Sequence, residues 1–181
     1  AIGDIVSKYD WKAGERGYVF GVGGEGDVKA EPGKLFAWFS SEAATFKGVV
    51  AYGSRRVDDG QPHHVAMVFE AGQSVRFFVD GIGDEAVRIE GPIPKTVAQS
   101  ARGLAVGAGF ENSSRAAAFR FDGRLANVRL YDRVISNPSG LDLSKPEVVK
   151  YRRLANRLAK AGGASIEVPV MDELPEPRET H

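Results

Sequence analysis

The sequence predicts an all-β chain: an antiparallel sandwich or jelly roll, closed by one C-terminal α-helix and an extended tail. Three observations carry this. Short runs of alternating apolar residues recur along residues 1–136, at roughly the 8–12-residue spacing of sandwich strands. The chain holds 22 glycines, many of them beside Asp, Pro or Ser between these runs, where turns are needed. Helical periodicity is almost absent before Ser144.

The pattern is strongest in His63–Gly81, HHVAMVFEAGQSVRFFVDG, which reads as two strands and a turn. Side chains alternate across a strand, so Val65, Met67 and Phe69 share one face, and so do Val75, Phe77 and Val79. Glu70 to Gln73 connect the strands, and Asp80-Gly81 signals another reversal.

From the start, Ile2–Lys8 opens with a short apolar strand and Tyr9–Gly17 is a polar loop holding Trp11. Tyr18–Val22 is a strand, and Gly23–Gly33 is a glycine-rich loop. In Leu35–Ser40, Leu35, Ala37 and Phe39 lie opposite Phe36 and Trp38. Phe46–Tyr52 is the next strand, and Gly53–Pro62 is a charged loop. Beyond the hairpin, strands are predicted at Val87–Ile89, Leu104–Gly107, from Phe119, and at Leu125–Tyr131. The composition then changes. Ser144 and Glu147 form a capping box around Pro146, and Tyr151, Leu154, Ala155 and Leu158 recur at helical spacing up to Gly162-Gly163. Residues 165–181 are extended, ending in an acidic, proline-rich tail.

Bulk properties bound the function. Acidic and basic residues balance at 24 each, so no global field draws nucleic acid or an anionic membrane. No basic patch interleaved with aromatics marks a nucleic-acid reader. The absence of cysteine excludes disulfides, thiolate metal sites and covalent c-type haem within these 181 residues. No apolar run approaches the ~20 residues that span a bilayer. The chain starts at Ala1 without Met or a signal peptide, so a processed or excised piece of a longer protein is expected.

DIVSKYD with GYVF, then HHVAMVF, VRFFVDG, LAVGAG and FDGRLANVRLYDRVIS occur in the order and spacing of a known family. Together they resemble the laminin-G-like, concanavalin A-like jelly-roll family in its bacterial form. The resemblance implies a laminin-G-like domain over residues 1–136, a helical appendage at 137–164 and a linker at 165–181 leading to a further domain. The run IEVPVMDELPEPRETH at 166–181 is similar to a segment of large planctomycete proteins that also carry a c-type cytochrome module. That likeness implies a periplasmic or extracellular parent whose haem lies outside this chain. Three features depart from the family. Almost nothing precedes DIVSK, where a first strand belongs, so an open sheet edge or a strand supplied from elsewhere is expected. Ala126-Asn127 stand where relatives often have an acidic pair, and Pro62 stands where a Trp is usual.

Some relatives are glycanases, which flank the scissile bond with two carboxylates. No Glu-x-Asp-x-Glu strand occurs here; Asp84-Glu85 follow a turn, and Glu173 and Glu176 lie in the tail, so the domain by itself is expected to be no enzyme. His63 and His64 are adjacent on a strand and face opposite ways, which favours a structural role over a shared metal ion. Calcium takes loop oxygens, and Asp10, Asp58, Asp59, Asp122 and Asn127 are its candidate ligands, although each alone reads first as a turn former. Sugar sites pair an aromatic platform with planar polar groups, for which Trp11, Trp38, Tyr52, Arg55, Arg56 and Asn112 are the candidates. The leading expectation is a non-catalytic polysaccharide-binding module. The alternative is a structural or assembly domain that packs against other segments of its parent.

Overall fold

Alternating side chains sort the described residues, 3–24, 30–111 and 117–134 of a computed structural model, into two mainly antiparallel sheets. The strands are β1 (Gly3–Asp10), β2 (Glu15–Val22), β3 (Lys34–Ser40), β4 (Gly48–Arg56), β5 (Val65–Glu70), β6 (Ser74–Val79), β7 (Ile82–Gly83), β8 (Arg88–Glu90), β9 (Ala105–Val106), β10 (Gly109–Phe110) and β11 (Ala117–Ala118). The large sheet has eight strands in the order β11-β10-β1-β2-β3-β4-β8, with β9 also on β1; the small sheet is β5-β6-β7. The predicted antiparallel sandwich is therefore present. No helix among the described residues is long and apolar enough to cross a membrane.

The hairpin forms in the predicted register, with Val65 opposite Val79, Met67 opposite Phe77 and Phe69 opposite Val75. Val75, Phe77 and Val79 are buried against Ile5, Phe20, Leu35, Ala37, Phe39, Val49 and Ala51 of the large sheet. Two stacked pairs join the layers: Phe20 with Phe77 at 6.0 Å between ring centres, and Phe39 with Phe69 at 4.0 Å. The opposite face of the large sheet carries a second buried cluster, Tyr9, Val19, Phe36 and Tyr52, with Ala30 from the loop before β3. Both faces of these strands are thus apolar, as expected of a sheet covered on both sides.

Close backbone approach fixes one glycine. A Cβ at Gly48 would lie 1.9 Å from the carbonyl oxygen of Phe39 in the neighbouring strand. Gly48→Ala is therefore expected to destabilise the chain by about 1–3 kcal/mol, the range for forced overpacking. Urea titration checks this, and an unchanged midpoint would show that β3 and β4 separate freely there.

Three expectations are corrected. Leu125–Tyr131 is not a strand: Asn127 has φ 54°, which breaks the extended conformation, and the segment beyond it is exposed. Leu125 still packs on the inter-sheet core, whereas Leu130 and Tyr131 are 49% and 52% exposed. Nor is β1 an open edge for want of a preceding strand, since β9 and β10 occupy the side away from β2. The predicted loop at 9–17 shrinks to a turn at 11–14, because β1 runs to Asp10 and β2 starts at Glu15. The expected helix and tail, 137–181, lie outside the described residues.

Candidate functional site

Local strand geometry builds the outer face of the large sheet. In β3, Phe36 and Trp38 point away from the sandwich interior, as their alternation with Leu35, Ala37 and Phe39 predicts. Val50 and Tyr52 of β4 and Val19 of β2 share that face. In β1, pairing with β2 is irregular between Asp4 and Val6 and between Lys8 and Asp10. Such bulges re-aim side chains. Ile5 and Val6 both enter the inter-sheet core, and Tyr9 joins the outer cluster.

One end of this face carries an aromatic platform. Trp11 is in the turn after β1, and Phe46 is in the loop before β4. They converge on Trp38, with ring centres 5.7 Å apart for Trp11–Trp38, 5.8 Å for Trp38–Phe46 and 6.0 Å for Trp11–Phe46. Tyr9 meets Trp38 edge-on at 4.9 Å. The Arg16 guanidinium lies over the Trp11 ring at 4.6 Å, and its Nη1 donates to the carbonyl oxygens of Ala43, at 3.2 Å, and Ala44. Trp11 remains 43% exposed, Trp38 is half-buried, and Tyr9 is buried. A rigid, braced, partly exposed indole results. Beside the same turn is an open cleft of about 220 Å³ lined by Ala13, Glu15, Ala101 and Arg102.

Of the predicted sugar-binding residues, the structure brings Trp11 and Trp38 together. Tyr52 lies on the same face but is buried, and the Arg88 guanidinium covers its ring at 4.2 Å. Arg55 turns toward the small sheet, where Nη1 donates to the carbonyls of Val79 at 3.3 Å and Ile82 at 3.4 Å. Arg56 is exposed and grips Asp58 with two hydrogen bonds of 2.8 and 2.5 Å. Asn112 lies outside the described residues. Phe46 and Arg16 were not anticipated. Phe46 reads as the first residue of a strand, and no sequence signal places Arg16 over Trp11.

The calcium candidates do not converge. Asp10 is fully buried, accepts from the Ala13 N–H at 3.1 Å and pairs with Arg102 at 2.9 Å. Asp58 is held by Arg56, and Asp59 bonds to His63 at 2.9 Å. Asp122 and Asn127 are exposed on the segment after β11. Among the described residues no three His, Asp or Glu side chains are grouped to hold an ion. His63 is sandwiched between Asp59 and Asp80, with Nδ1 2.8 Å from the Asp80 carboxylate, and Asp80 also accepts the His64 N–H at 3.0 Å. That arrangement ties the loop before β5 to the end of β6. Burial opposes charge on His63, but the two carboxylates outweigh it and raise its pKa. The acid at Asp84 is likewise structural. It accepts from the Ser54 N–H at 2.6 Å, the Ser54 hydroxyl at 2.5 Å and the Arg55 N–H at 3.2 Å, and these bonds overcome burial to hold its pKa low.

The family model of the concanavalin A-like lectin/glucanases superfamily matches residues 3–139, most of the chain. This chain is a member of that superfamily. No curated protein and no solved structure matches it. The antiparallel sandwich is consistent with that membership, and the aromatic platform is read from this chain's own residues.

Proposed function

We propose that this concanavalin A-like domain is a non-catalytic polysaccharide-binding module whose platform is Trp11, supported by Trp38, Phe46 and Arg16. The observation that carries the reading is Trp11 itself: a 43% exposed indole held by ring contacts and a guanidinium rather than left free. A sugar ring stacking there needs little further ordering of the protein, which favours binding. Nearby acids are engaged: Glu42 with Lys47 at 2.9 Å and Thr45 at 3.1 Å, and Glu15 with the Ala101 N–H at 2.8 Å. Such acids suit a binding surface better than a hydrolytic pair. The likeness of 166–181 to segments of cytochrome-bearing proteins supports a further proposal, that the domain belongs to a larger secreted or periplasmic haem-containing protein.

A thermal-shift screen against soluble polysaccharides, with calcium and with chelator, tests the reading, because a ligand of the native state raises the melting temperature. A saturable rise with one glycan class is expected. Trp11→Ala is expected to weaken that binding about tenfold or more, the equivalent of roughly 1.5–3 kcal/mol for losing a buried aromatic contact. No shift with any glycan in either condition would overturn the reading. An assembly role is the second reading. Among the described residues β5 pairs only with β6, and Val128, Leu130, Tyr131 and Val134 are exposed nearby in sequence to Leu125. A change in mass on adding other parent segments would favour it.

A further inference from the structure

Asp4 is 1% exposed at the start of β1, and the Tyr9 hydroxyl donates to its Oδ2 at 3.0 Å. The backbone of β10 closes over the pair: a Cβ at Gly109 would fall 2.5 Å from Asp4 Oδ2 and 2.8 Å from the Tyr9 oxygen. Among the described residues, no cation acts on this carboxyl from the surrounding elements. Across β2 its partner is Gly21, β10 presents Gly109, and the segment after β11 presents the carbonyl of Phe119, which accepts the Asp4 N–H at 3.0 Å. The other acids that act on Tyr9 are Asp10 and Glu111, which pair with Arg102 at 2.9 Å and Lys12 at 2.7 Å. Burial keeps the Tyr9 hydroxyl protonated and pushes the Asp4 carboxyl up to about 7. Both forms of Asp4 are then populated near neutrality.

The ring of Tyr9 stands edge-on to Trp38 at 4.9 Å. We propose that Asp4 is a proton-controlled positioning residue, which sets the seating of Trp38, and so of the aromatic platform, through the Tyr9 side chain. The proton exchanges with bulk water, and no other bond is made or broken. With Asp4 ionised, the Tyr9 hydroxyl makes a charge-assisted hydrogen bond that fixes the ring; with Asp4 neutral, that bond weakens and the ring relaxes toward Trp38. The consequence for binding rests on the platform reading above. A glycan laid over Trp11 and Trp38 excludes water and disfavours buried charge, so affinity falls as pH rises through 7, by roughly three- to tenfold.

The two tryptophans of the chain are Trp11 and Trp38, so tryptophan emission, excited selectively over the five tyrosines, reports on this cluster alone. Between about pH 5 and pH 9, the full chain should show a change in emission centred near 7. Asp4→Asn should abolish it, and Tyr9→Phe, which keeps the ring but not the hydroxyl, should sharply reduce it, both variants retaining a cooperative melt. A transition that persists in either folded variant belongs to other groups, such as His63 or His64, and overturns the proposal. So does the absence of a transition in the native chain. Should Asp4→Asn not fold, Tyr9→Phe decides. If the emission titrates as expected but no polysaccharide binds, the positioning role stands and the binding reading falls. If a glycan binds with equal affinity at pH 6 and pH 8, the platform stands and the control by Asp4 falls.

Discussion

Replacing Phe77 with alanine is expected to cost about 3–5 kcal/mol, the range for deleting a fully buried Phe ring. Phe77 has no exposed surface, lies at the centre of β6 and stacks at 16° on Phe20 across the two sheets. The small sheet has three strands and buries one face, so few side chains join it to the large sheet. Val75 and Val79 flank Phe77 and are too short to close the gap it would leave. For a domain stabilised by about 5–15 kcal/mol, such a loss approaches unfolding. Phe78, the next residue, is half-buried on the opposite face, and Phe78→Ala should cost much less. Urea titration of both variants checks this. Equal losses, or a loss below about 1.5 kcal/mol for Phe77→Ala, would mean that the two layers are not joined through this ring.

The contrast between Phe77 and Phe78 was legible in the sequence, because alternation assigns a face without any knowledge of partners. The same rule placed Trp38 opposite Leu35, Ala37 and Phe39 correctly. It failed at Leu125–Tyr131, whose apolar alternation is as regular, because a single residue at positive φ, Asn127, redirects the chain. Contacts between distant segments were the other blind spot. Phe46 reaches Trp11 from 35 positions along the chain, and Arg102 reaches Asp10 from 92. Nothing local distinguishes an Asp that will be buried against an arginine from one that closes a turn, so Asp10 read as a calcium candidate. Tyr52 is buried for a related reason: β8 returns Arg88 over its ring. The site was therefore half legible. The sequence singled out Trp11 and Trp38, but not Phe46 and Arg16, which brace them.

Asp4 is the buried acid whose cost the sequence hides, and its replacement should show as a change in the pH dependence of stability. Its carboxyl is raised from the ordinary 3.8 to about 7, with burial the larger cause and the Tyr9 hydrogen bond opposing it. Below pH 4 the group is protonated in both folded and unfolded chains, and folding loses nothing. Between about 4 and 7 the unfolded chain has released the proton while the folded chain keeps it. Stability therefore falls as pH rises across that window and levels off above it. The gap between 3.8 and about 7 corresponds to about 4 kcal/mol. In Asp4→Asn the side-chain carbonyl can still accept from the Tyr9 hydroxyl, and no charge is ever buried. The variant should match the native chain near pH 4 and exceed it by up to about 4 kcal/mol at pH 8. Denaturant titrations of the two proteins at a series of pH values give the difference directly, and groups such as His63 and Asp84 cancel in it. Parallel curves from pH 4 to pH 8 would show that Asp4 ionises as an ordinary carboxylate, and the buried proton that links it to Tyr9 and Trp38 would not exist.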